Sequence, residues 1–307
     1  MKILVSGGSG FIGSHLVDSL VEKKHKVVVV DKLTTGKKMN LRKSISKIRF
    51  LKDDIRNFSR MDHIMHKFKP EVIFHLAAEA RISECTKNPR YTNEVNVGGT
   101  INMLEMARKY KVKKFIFASS SSIYGDGHSR PICEGYDKTQ KSIYALQKRT
   151  AELYVSKYAE YYKVPTMSFR YFNVYGTSRQ SNEVYPTVFS SFYRDMKKKG
   201  RITIYGNGRQ VRDFIHVYDL VRAHLVVLES PRRMFDGGML NLGTGKITTV
   251  NKIAKYFDCR KVYRAERKED VFYSCANMIM TDLSLGFESK ITIDQGIKIF
   301  FNSFNKK

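Results

Sequence analysis

Two side chains four residues apart, Tyr144 and Lys148, are suited to proton transfer. In a helix predicted over residues 143–162, this spacing places both side chains on one face. An ordinary tyrosine has a pKa of about 10, so only about one molecule in a thousand is ionised at pH 7. A neighbouring ammonium group favours the phenolate and lowers that pKa. The pair therefore predicts a general base that accepts a hydroxyl proton during an oxidation.

Four consecutive serines, residues 119–122, follow a strand predicted over residues 114–118. In an open parallel sheet, ligands bind beyond the carboxyl ends of the strands. A serine hydroxyl there could hydrogen-bond a reacting oxygen, although taken alone the run is better explained as a serine-rich turn. A Tyr-x-x-x-Lys spacing is also common by chance in a chain with 18 tyrosines. The serine run and the Tyr-x-x-x-Lys spacing therefore indicate a catalytic site only in combination with the predicted strands and helices around them.

A glycine-rich segment between a predicted strand (residues 3–6) and a predicted helix (residues 11–24) indicates a dinucleotide site. Glycine permits a tight turn, the approach of the backbone to a pyrophosphate, and close packing of helix on strand. The helix N-terminus adds free N–H groups and the positive end of its dipole. The candidate cofactor-binding residues of this segment are Gly7, Gly10, Phe11, Ile12 and Gly13.

Asp31 ends the next predicted strand, residues 26–31. A carboxylate at this position accepts hydrogen bonds from the hydroxyls of an adenosine ribose and repels a ribose 2′-phosphate. NAD is therefore predicted over NADP, although the following Lys32 weakens the preference.

Alternating strand and helix patterns predict an α/β fold with a Rossmann-type, doubly wound parallel sheet. Four consecutive valines, residues 27–30, suit a strand covered on both faces. We predict an NAD-binding domain over residues 1–172, to which residues 213–230 return, and a smaller C-terminal substrate-binding lobe over residues 173–307. The C-terminal third of the chain is predicted to be irregular. Further strands are predicted at residues 71–75, 114–118, 202–205 and 213–217, and further helices at residues 91–110, 187–199 and 219–228.

Composition narrows the range of partners. The net charge is +26, which could attract nucleic acid, but the cations are spread along the chain, and an anionic substrate explains them equally well. No apolar run approaches the roughly 18 residues of a membrane span. The four cysteines are not at metal-ligand spacing, so no metal site is predicted. Because the chain opens directly on a strand pattern without a secretory leader, we expect a cytoplasmic protein.

Together these motifs resemble the extended short-chain dehydrogenase/reductase superfamily and, within it, the NAD-dependent epimerase/dehydratase family. The narrowest resemblance is to nucleotide-sugar 4-epimerases, such as those for UDP-glucose and UDP-N-acetylglucosamine. It runs from Met1 to about Gly286. Besides the motifs above, it rests on residues 31–36, 54–55, 75–78, 96–100, 119–125, 170–176 and 212–214.

The resemblance implies roles for individual residues in binding the cofactor and in catalysis. Asp54 and Ile55 would contact the adenine, Ala77 and Ala78 would line the NAD channel, and Asn96 would belong to the cofactor site. The catalytic residues would be Ser120, Tyr144 and Lys148, the last two also contacting NAD.

The resemblance also implies a set of contacts to the nucleotide sugar. Arg212 and Arg267 would bind its pyrophosphate and Asp270 its ribose. The remaining candidates are Ser120, Ser121, Ser122, Asn173 and Ser274. Homodimerisation is expected from the family alone.

The implied reaction is 4-epimerisation of a UDP-sugar through transient oxidation at C4, with NAD regenerated. Related 4,6-dehydratases carry Thr-Asp-Glu where this chain has Ser120, Ser121 and Ser122, and related decarboxylases keep a Glu at the third position. Lacking both carboxylates, the chain is expected to be an epimerase or a ketoreductase.

Other activities stay open because Glu79 and Arg81 depart from the epimerase pattern. Glu79 is closer to the dehydratases, and Arg81 could favour an acidic sugar, unless it faces solvent. The alternatives are UDP-glucuronate 4-epimerase, nucleotide-sugar 4-ketoreductase and 4,6-dehydratase. A non-catalytic NAD-binding protein and a nucleic-acid-binding protein are alternatives of another class.

The choice of sugar depends on Ser274. In these epimerases the position four residues after the Asp of an Arg-x-x-Asp motif, here Asp270, controls the space around the C2 substituent. A small residue leaves room for an N-acetyl group, so we predict UDP-N-acetylglucosamine and UDP-N-acetylgalactosamine as substrates. UDP-glucose and UDP-galactose could also react, because a larger pocket does not exclude a smaller substrate. A shift of one residue would make Tyr273 the gate and reverse the prediction.

Overall fold

The structure, a computed structural model, describes residues 1–126, 130–136, 139–179, 187–266 and 271–305. The chain forms two compact units. The first contains Met1–Ser120, Ser142–Arg170 and Val221–Leu240, and the second contains Ser121–Lys141, Tyr171–Leu220 and Asn241–Lys307. These bounds differ in detail from the two domains expected from sequence, whose functions stay predictions.

The strands are numbered in chain order. They are β1 (Lys2–Ser6), β2 (Lys26–Val30), β3 (Arg49–Leu51), β4 (Val72–His75), β5 (Lys114–Ser120), β6 (Thr166–Tyr171), β7 (Asn173–Tyr175), β8 (Arg201–Tyr205), β9 (Val211–His216), β10 (Asp236–Leu242), β11 (Ile247–Thr249), β12 (Arg260–Arg264) and β13 (Tyr273–Ser274).

The α-helices are numbered in the same way. They are α1 (Phe11–Glu22), α2 (Phe58–Phe68), α3 (Ile82–Lys87), α4 (Pro89–Asn93), α5 (Gly99–Lys109), α6 (Ile143–Tyr162), α7 (Val188–Lys199), α8 (Val217–Glu229), α9 (Val250–Ala254), α10 (Ile279–Leu285) and α11 (Ile293–Asn305). None of the helices in the described part of the chain is long and apolar enough to span a bilayer.

Most of the first unit is built on a seven-stranded sheet with the order β10-β6-β5-β4-β1-β2-β3. The pairings from β3 through β2, β1 and β4 to β5 are parallel. The strand order reverses between β1 and β4, which is where open α/β sheets bind their ligands. The predicted Rossmann-type sheet is confirmed. Four valines of β2 are buried, as expected for a strand covered on both faces.

The second unit has a smaller sheet arranged around β9. Strand β11 pairs with β9 antiparallel, whereas β13 and β7 pair with it in parallel. A separate two-stranded parallel sheet joins β8 and β12. The core of this unit includes aromatic residues of α7, β9 and α11, among them Phe189, Phe214 and Phe300.

The local predictions held where the pattern was strong. The helix predicted at residues 143–162 is α6, and the predicted helix at residues 187–199 is α7, with Thr187 as its N-cap. The prediction of one α-helix at residues 91–110 was partly wrong, because a π-helical turn, Glu94–Gly98, separates α4 from α5. The prediction of irregular structure in the C-terminal third was also wrong, since α11 buries Ile297 and Phe300 on one face.

Candidate active site

The glycine-rich turn fits between β1 and α1 because its backbone leaves no room for side chains. Gly7 has φ +73°, and a Cβ atom there would lie 2.6 Å from the amide nitrogen of Ala77, two residues after the end of β4. A Cβ atom on Gly13 would collide with the carbonyl oxygen of Gly7. Both glycines are therefore required by geometry, and they bring the turn against the segment that contains the candidates Ala77 and Ala78.

The N-terminus of α1 is suited to an anion. The first N–H groups of an α-helix have no carbonyl partner within it. Gly10 caps α1 without a side-chain hydrogen bond, and the first turn contains no acidic residue. The N–H groups of Phe11, Ile12 and Gly13 at this end fit a pyrophosphate.

Asp31 joins the glycine-rich turn to the end of β2. Its Oδ2 accepts a hydrogen bond from the Ser9 N–H at 2.8 Å, and its Oδ1 accepts one from the Leu33 N–H at 2.8 Å. Burial raises the pKa of this carboxyl, and the two backbone N–H groups oppose that rise. Each oxygen keeps a second lone pair, so Asp31 can both fix the turn and accept from ribose hydroxyls.

The positive charge of Lys32 is neutralised locally. Its Nζ lies 2.9 Å from Oδ2 of Asp54, whose same oxygen also pairs with Arg56 at 2.8 Å. Partial burial favours a higher pKa for Asp54, but the hydrogen bonds from Arg56 and Lys32 outweigh it and hold the pKa well below its usual range. Lys32 therefore weakens the predicted preference for NAD over NADP less than its charge alone would.

Tyr144 and Lys148 both lie on the buried face of α6. The Lys148 ammonium donates a hydrogen bond to the carbonyl oxygen of Ala118 at 2.7 Å and lies 4.8 Å from the centre of the Phe117 ring. Ala118 belongs to β5, which ends at Ser120. The fold thus brings Lys148 to the strand that carries Ser120.

The environment of Lys148 changes its acidity. Burial lowers the pKa of Lys148 to about 8, because desolvation disfavours the ammonium form. At pH 7 most of it is still protonated. A buried ammonium one helical turn from Tyr144 is the arrangement that favours a phenolate.

A third residue of the α6 face, Glu152, was missed from sequence. It follows Lys148 by four residues and is fully buried, with Oε1 accepting from Arg170 at 2.6 Å and Oε2 accepting from the Ser119 hydroxyl at 2.7 Å. Burial favours a higher pKa, but the Arg170 and Ser119 hydrogen bonds lower it overall. Continuation of the four-residue spacing was the signal that could have revealed this anchor of α6 against β5 and β6.

Asn96 connects the segment after β4 to α6. Its Oδ1 accepts from the Glu79 N–H at 2.7 Å, and its Nδ2 donates to the Glu79 carbonyl at 2.9 Å and to Gln147 Oε1 at 2.8 Å. Both amide hydrogens are therefore used inside the protein. A role of Asn96 in the cofactor site stays a prediction, and the visible role is to position Gln147 beside Lys148.

Glu79 and Arg81, the departures from the epimerase pattern, bind each other. The Arg81 guanidinium donates to Glu79 Oε1 at 2.8 Å and to Oε2 at 2.6 Å. Glu79 is buried and Arg81 is about one-third exposed. The paired geometry accounts for both residues without a substrate carboxylate.

In the second unit, β9 brings three candidate substrate residues together. Arg212 lies on β9 and is the register partner of Ser274 on β13. Asn173 on β7 is the partner of Phe214 and donates from Nδ2 to the Asp213 carbonyl at 3.3 Å. Ser121 and Ser122 open the 3-10 turn Ser121–Tyr124. The candidates Arg267 and Asp270 lie outside the described residues.

The register of β13 separates Ser274 from Tyr273. Neighbouring residues of a strand point to opposite faces, so Ser274 shares the face of its partner Arg212, and Tyr273 shares that of Val211. Of the two possible gate residues, Ser274 is therefore the one beside Arg212.

The chain matches the NAD dependent epimerase/dehydratase family over residues 3–243. The chain belongs to this family. The sequence-based predictions of the family, the fold and NAD as cofactor are confirmed, and the glycine cradle and open helix N-terminus of this member fit that cofactor.

Three relatives that match this chain cover nearly its whole length. A protein of Methanocaldococcus jannaschii, provisionally named a UDP-glucose 4-epimerase, is 37% identical over 98% of this chain and 97% of its own length. The crystal structure of the Thermotoga maritima UDP-glucose 4-epimerase with UDP-glucose is 36% identical, with a TM-score of 0.93 over 100% and 99% of the two chains. The UDP-N-acetylglucosamine 4-epimerase of Methanobrevibacter ruminantium, solved with UDP-N-acetylmuramic acid, is 30% identical, with a TM-score of 0.91 over 99% and 98%.

Proposed function

We propose that this chain is a UDP-sugar 4-epimerase that interconverts UDP-N-acetylglucosamine and UDP-N-acetylgalactosamine, and also UDP-glucose and UDP-galactose. The observation that carries the proposal is the buried face of α6. There Lys148 lies one turn from Tyr144 and hydrogen-bonds the carbonyl of Ala118, two residues before Ser120. The relatives named as UDP-sugar 4-epimerases support it.

In the proposed reaction the residues of the chain transfer one proton from the sugar and back to it. Bound NAD supplies the oxidation of the sugar at C4 and its later reduction. The Tyr144 phenolate accepts the proton of the 4-hydroxyl and returns it at the end of the cycle. The Lys148 ammonium favours the phenolate, and the Ser120 hydroxyl hydrogen-bonds the reacting oxygen. The cycle would consume no net reductant, because the hydride taken from C4 would return to the opposite face of the 4-keto sugar.

The side chains at positions 120–122 do not support elimination of water from the sugar. Dehydration needs a carboxyl group to handle the proton and the water, and serines stand at these positions. Glu79, the dehydratase-like acid, accepts hydrogen bonds from Arg81 at both carboxyl oxygens. The same pair disfavours UDP-glucuronate as substrate, because the cation that would hold its carboxylate already holds Glu79.

The preference for N-acetylated sugars depends on Ser274. Its hydroxymethyl side chain is small and lies on the face of β13 shared with Arg212, the proposed pyrophosphate ligand. The bulkier Tyr273 belongs to the opposite face. A tyrosine at position 274 would fill the space that an N-acetyl group needs.

The test is the Ser274→Tyr variant assayed on two substrates, with Ser274→Ala as the matched control. We expect the tyrosine to reduce turnover of UDP-N-acetylglucosamine by about a hundredfold or more, the effect of steric overlap, while UDP-glucose turnover changes by only a few fold. The alanine variant should keep both activities. Undiminished conversion of UDP-N-acetylglucosamine by Ser274→Tyr would show that Ser274 is not the gate.

A further inference from the structure

A cavity of about 190 Å³ lies in the first unit between α2 and the outer strands β2 and β3. None of its lining residues belongs to the candidate cofactor, catalytic or substrate residues. Its floor is apolar, and its rim carries nitrogen-bearing side chains. The apolar residues are Val28, Leu51, Ile64 and Phe68, and the rim residues are Arg49, Arg60, His63 and Lys67.

The rim has positive charge that the protein leaves uncompensated. Arg60 pairs with Asp53 at 2.9 Å. Arg49 and Lys67 are exposed and form no ion pair with any residue in the described part of the chain. An arginine on the edge strand β3 could serve only to discourage strand pairing, but Lys67 and His63 lie on α2, where that purpose does not apply.

Arg49 belongs to a long basic stretch of the chain. Residues 37–52 contain no acidic residue and seven cations: Lys37, Lys38, Arg42, Lys43, Lys47, Arg49 and Lys52. All seven are exposed. Arg49 is the one of these seven that lines the cavity, whereas Lys38 packs over the Phe50 ring, which lies on the opposite face of β3.

We propose that this cavity binds a small organic phosphate. The guanidinium of Arg49 matches two phosphate oxygens, and the Lys67 ammonium adds a point charge. The organic part of the ligand covers Leu51, Ile64 and the Phe68 ring, which a bare phosphate ion would leave open. The volume corresponds to about six water molecules, which suits a body of one ring.

The experiment titrates phenyl phosphate into the full-length, NAD-loaded protein saturated with UDP, so that the nucleotide sites are filled. The signal is the methyl resonance of Ile64, a buried residue of the floor, assigned with an Ile64→Val variant. We expect a saturable shift, with inorganic phosphate binding at least about tenfold more weakly because it lacks the ring. Arg49→Met and Lys67→Met should each weaken phenyl phosphate binding by roughly fivefold.

Lys47→Met is the matched control, because it removes the same charge from the basic stretch without lining the cavity. We expect it to change the affinity by less than about twofold. The proposal is overturned if Lys47→Met weakens binding as much as Lys67→Met, if inorganic phosphate binds equally well, or if the UDP-saturated protein shows no saturable shift of the Ile64 methyl resonance.

Discussion

At the scale of single residues, the Tyr144 hydroxyl is the atom on which the proposed chemistry depends. Tyr144→Phe removes that oxygen and keeps the ring, which is buried on α6. We expect turnover of UDP-sugars to fall by roughly a hundredfold or more, while the fold and bound NAD are retained. Steady-state kinetics and the absorbance of NAD released on denaturation measure the two effects. Wild-type turnover in this variant would rule out Tyr144 as the base.

The burial of Lys148 makes the folding stability of the protein depend on pH. Its pKa in the folded chain is about 8, below the ordinary value of 10.5. Between these values the unfolded chain binds a proton that the folded chain does not, so this group makes the protein more stable as pH rises through that window. At neutral pH the buried ammonium destabilises the fold.

We therefore expect Lys148→Met to make the NAD-free protein more resistant to urea at pH 7 and to lose activity. The gain should shrink at pH 9.5, where wild-type Lys148 is mostly neutral. Lys157→Met, an exposed change on the same helix, is the control and should alter neither midpoint by much. Equal pH dependence of unfolding in Lys148→Met and wild type would contradict the burial argument.

At the scale of elements, two adjacent glycines of the helical run after β4 have opposite surroundings. A Cβ atom on Gly98 would meet nothing within 4 Å, whereas one on Gly99 would lie 2.5 Å from Cδ1 of Ile55, the predicted adenine contact. Gly98→Ala should stabilise the protein by about 0.5–1 kcal/mol through helix propensity. Gly99→Ala should displace Ile55 and weaken NAD binding.

Thermal unfolding and titration of the stripped protein with NAD measure both glycine variants, and each serves as the control of the other. If Gly99→Ala binds NAD as tightly as Gly98→Ala does, Ile55 does not line the adenine site.

Elements with a strong local signal could be predicted from sequence. The valines of β2, the glycine turn after β1 and the four-residue spacing of α6 each reflect short-range geometry that a sequence pattern records. The π-helical turn at Glu94–Gly98 could not be predicted, because it depends on contacts distant in the chain. Asn96 in that turn bonds to Glu79 and Gln147, 17 and 51 residues away. The pairing of Arg212 with Ser274 likewise depends on a register that only the folded sheet defines.

At the scale of the whole molecule, the charge of +26 is unevenly placed. The stretch over residues 37–52 is basic throughout, whereas Asp54 is surrounded by Lys32 and Arg56 and neutralises part of their charge. A field of this kind attracts anionic ligands in general. Composition alone could not distinguish a diffuse charge from a local one, and the fold places one cation of the stretch, Arg49, at the rim of the cavity.

The central claim is 4-epimerisation with internal return of the hydrogen at C4, and one measurement tests it directly. The purified protein, with its own bound NAD and no added cofactor, is incubated with UDP-N-acetylglucosamine in D₂O and followed by NMR and mass spectrometry. The account predicts an equilibrium mixture with UDP-N-acetylgalactosamine, unchanged mass and no deuterium on carbon. Loss of water from the sugar, accumulation of a keto sugar with stoichiometric NADH, or a requirement for added reduced cofactor would contradict it.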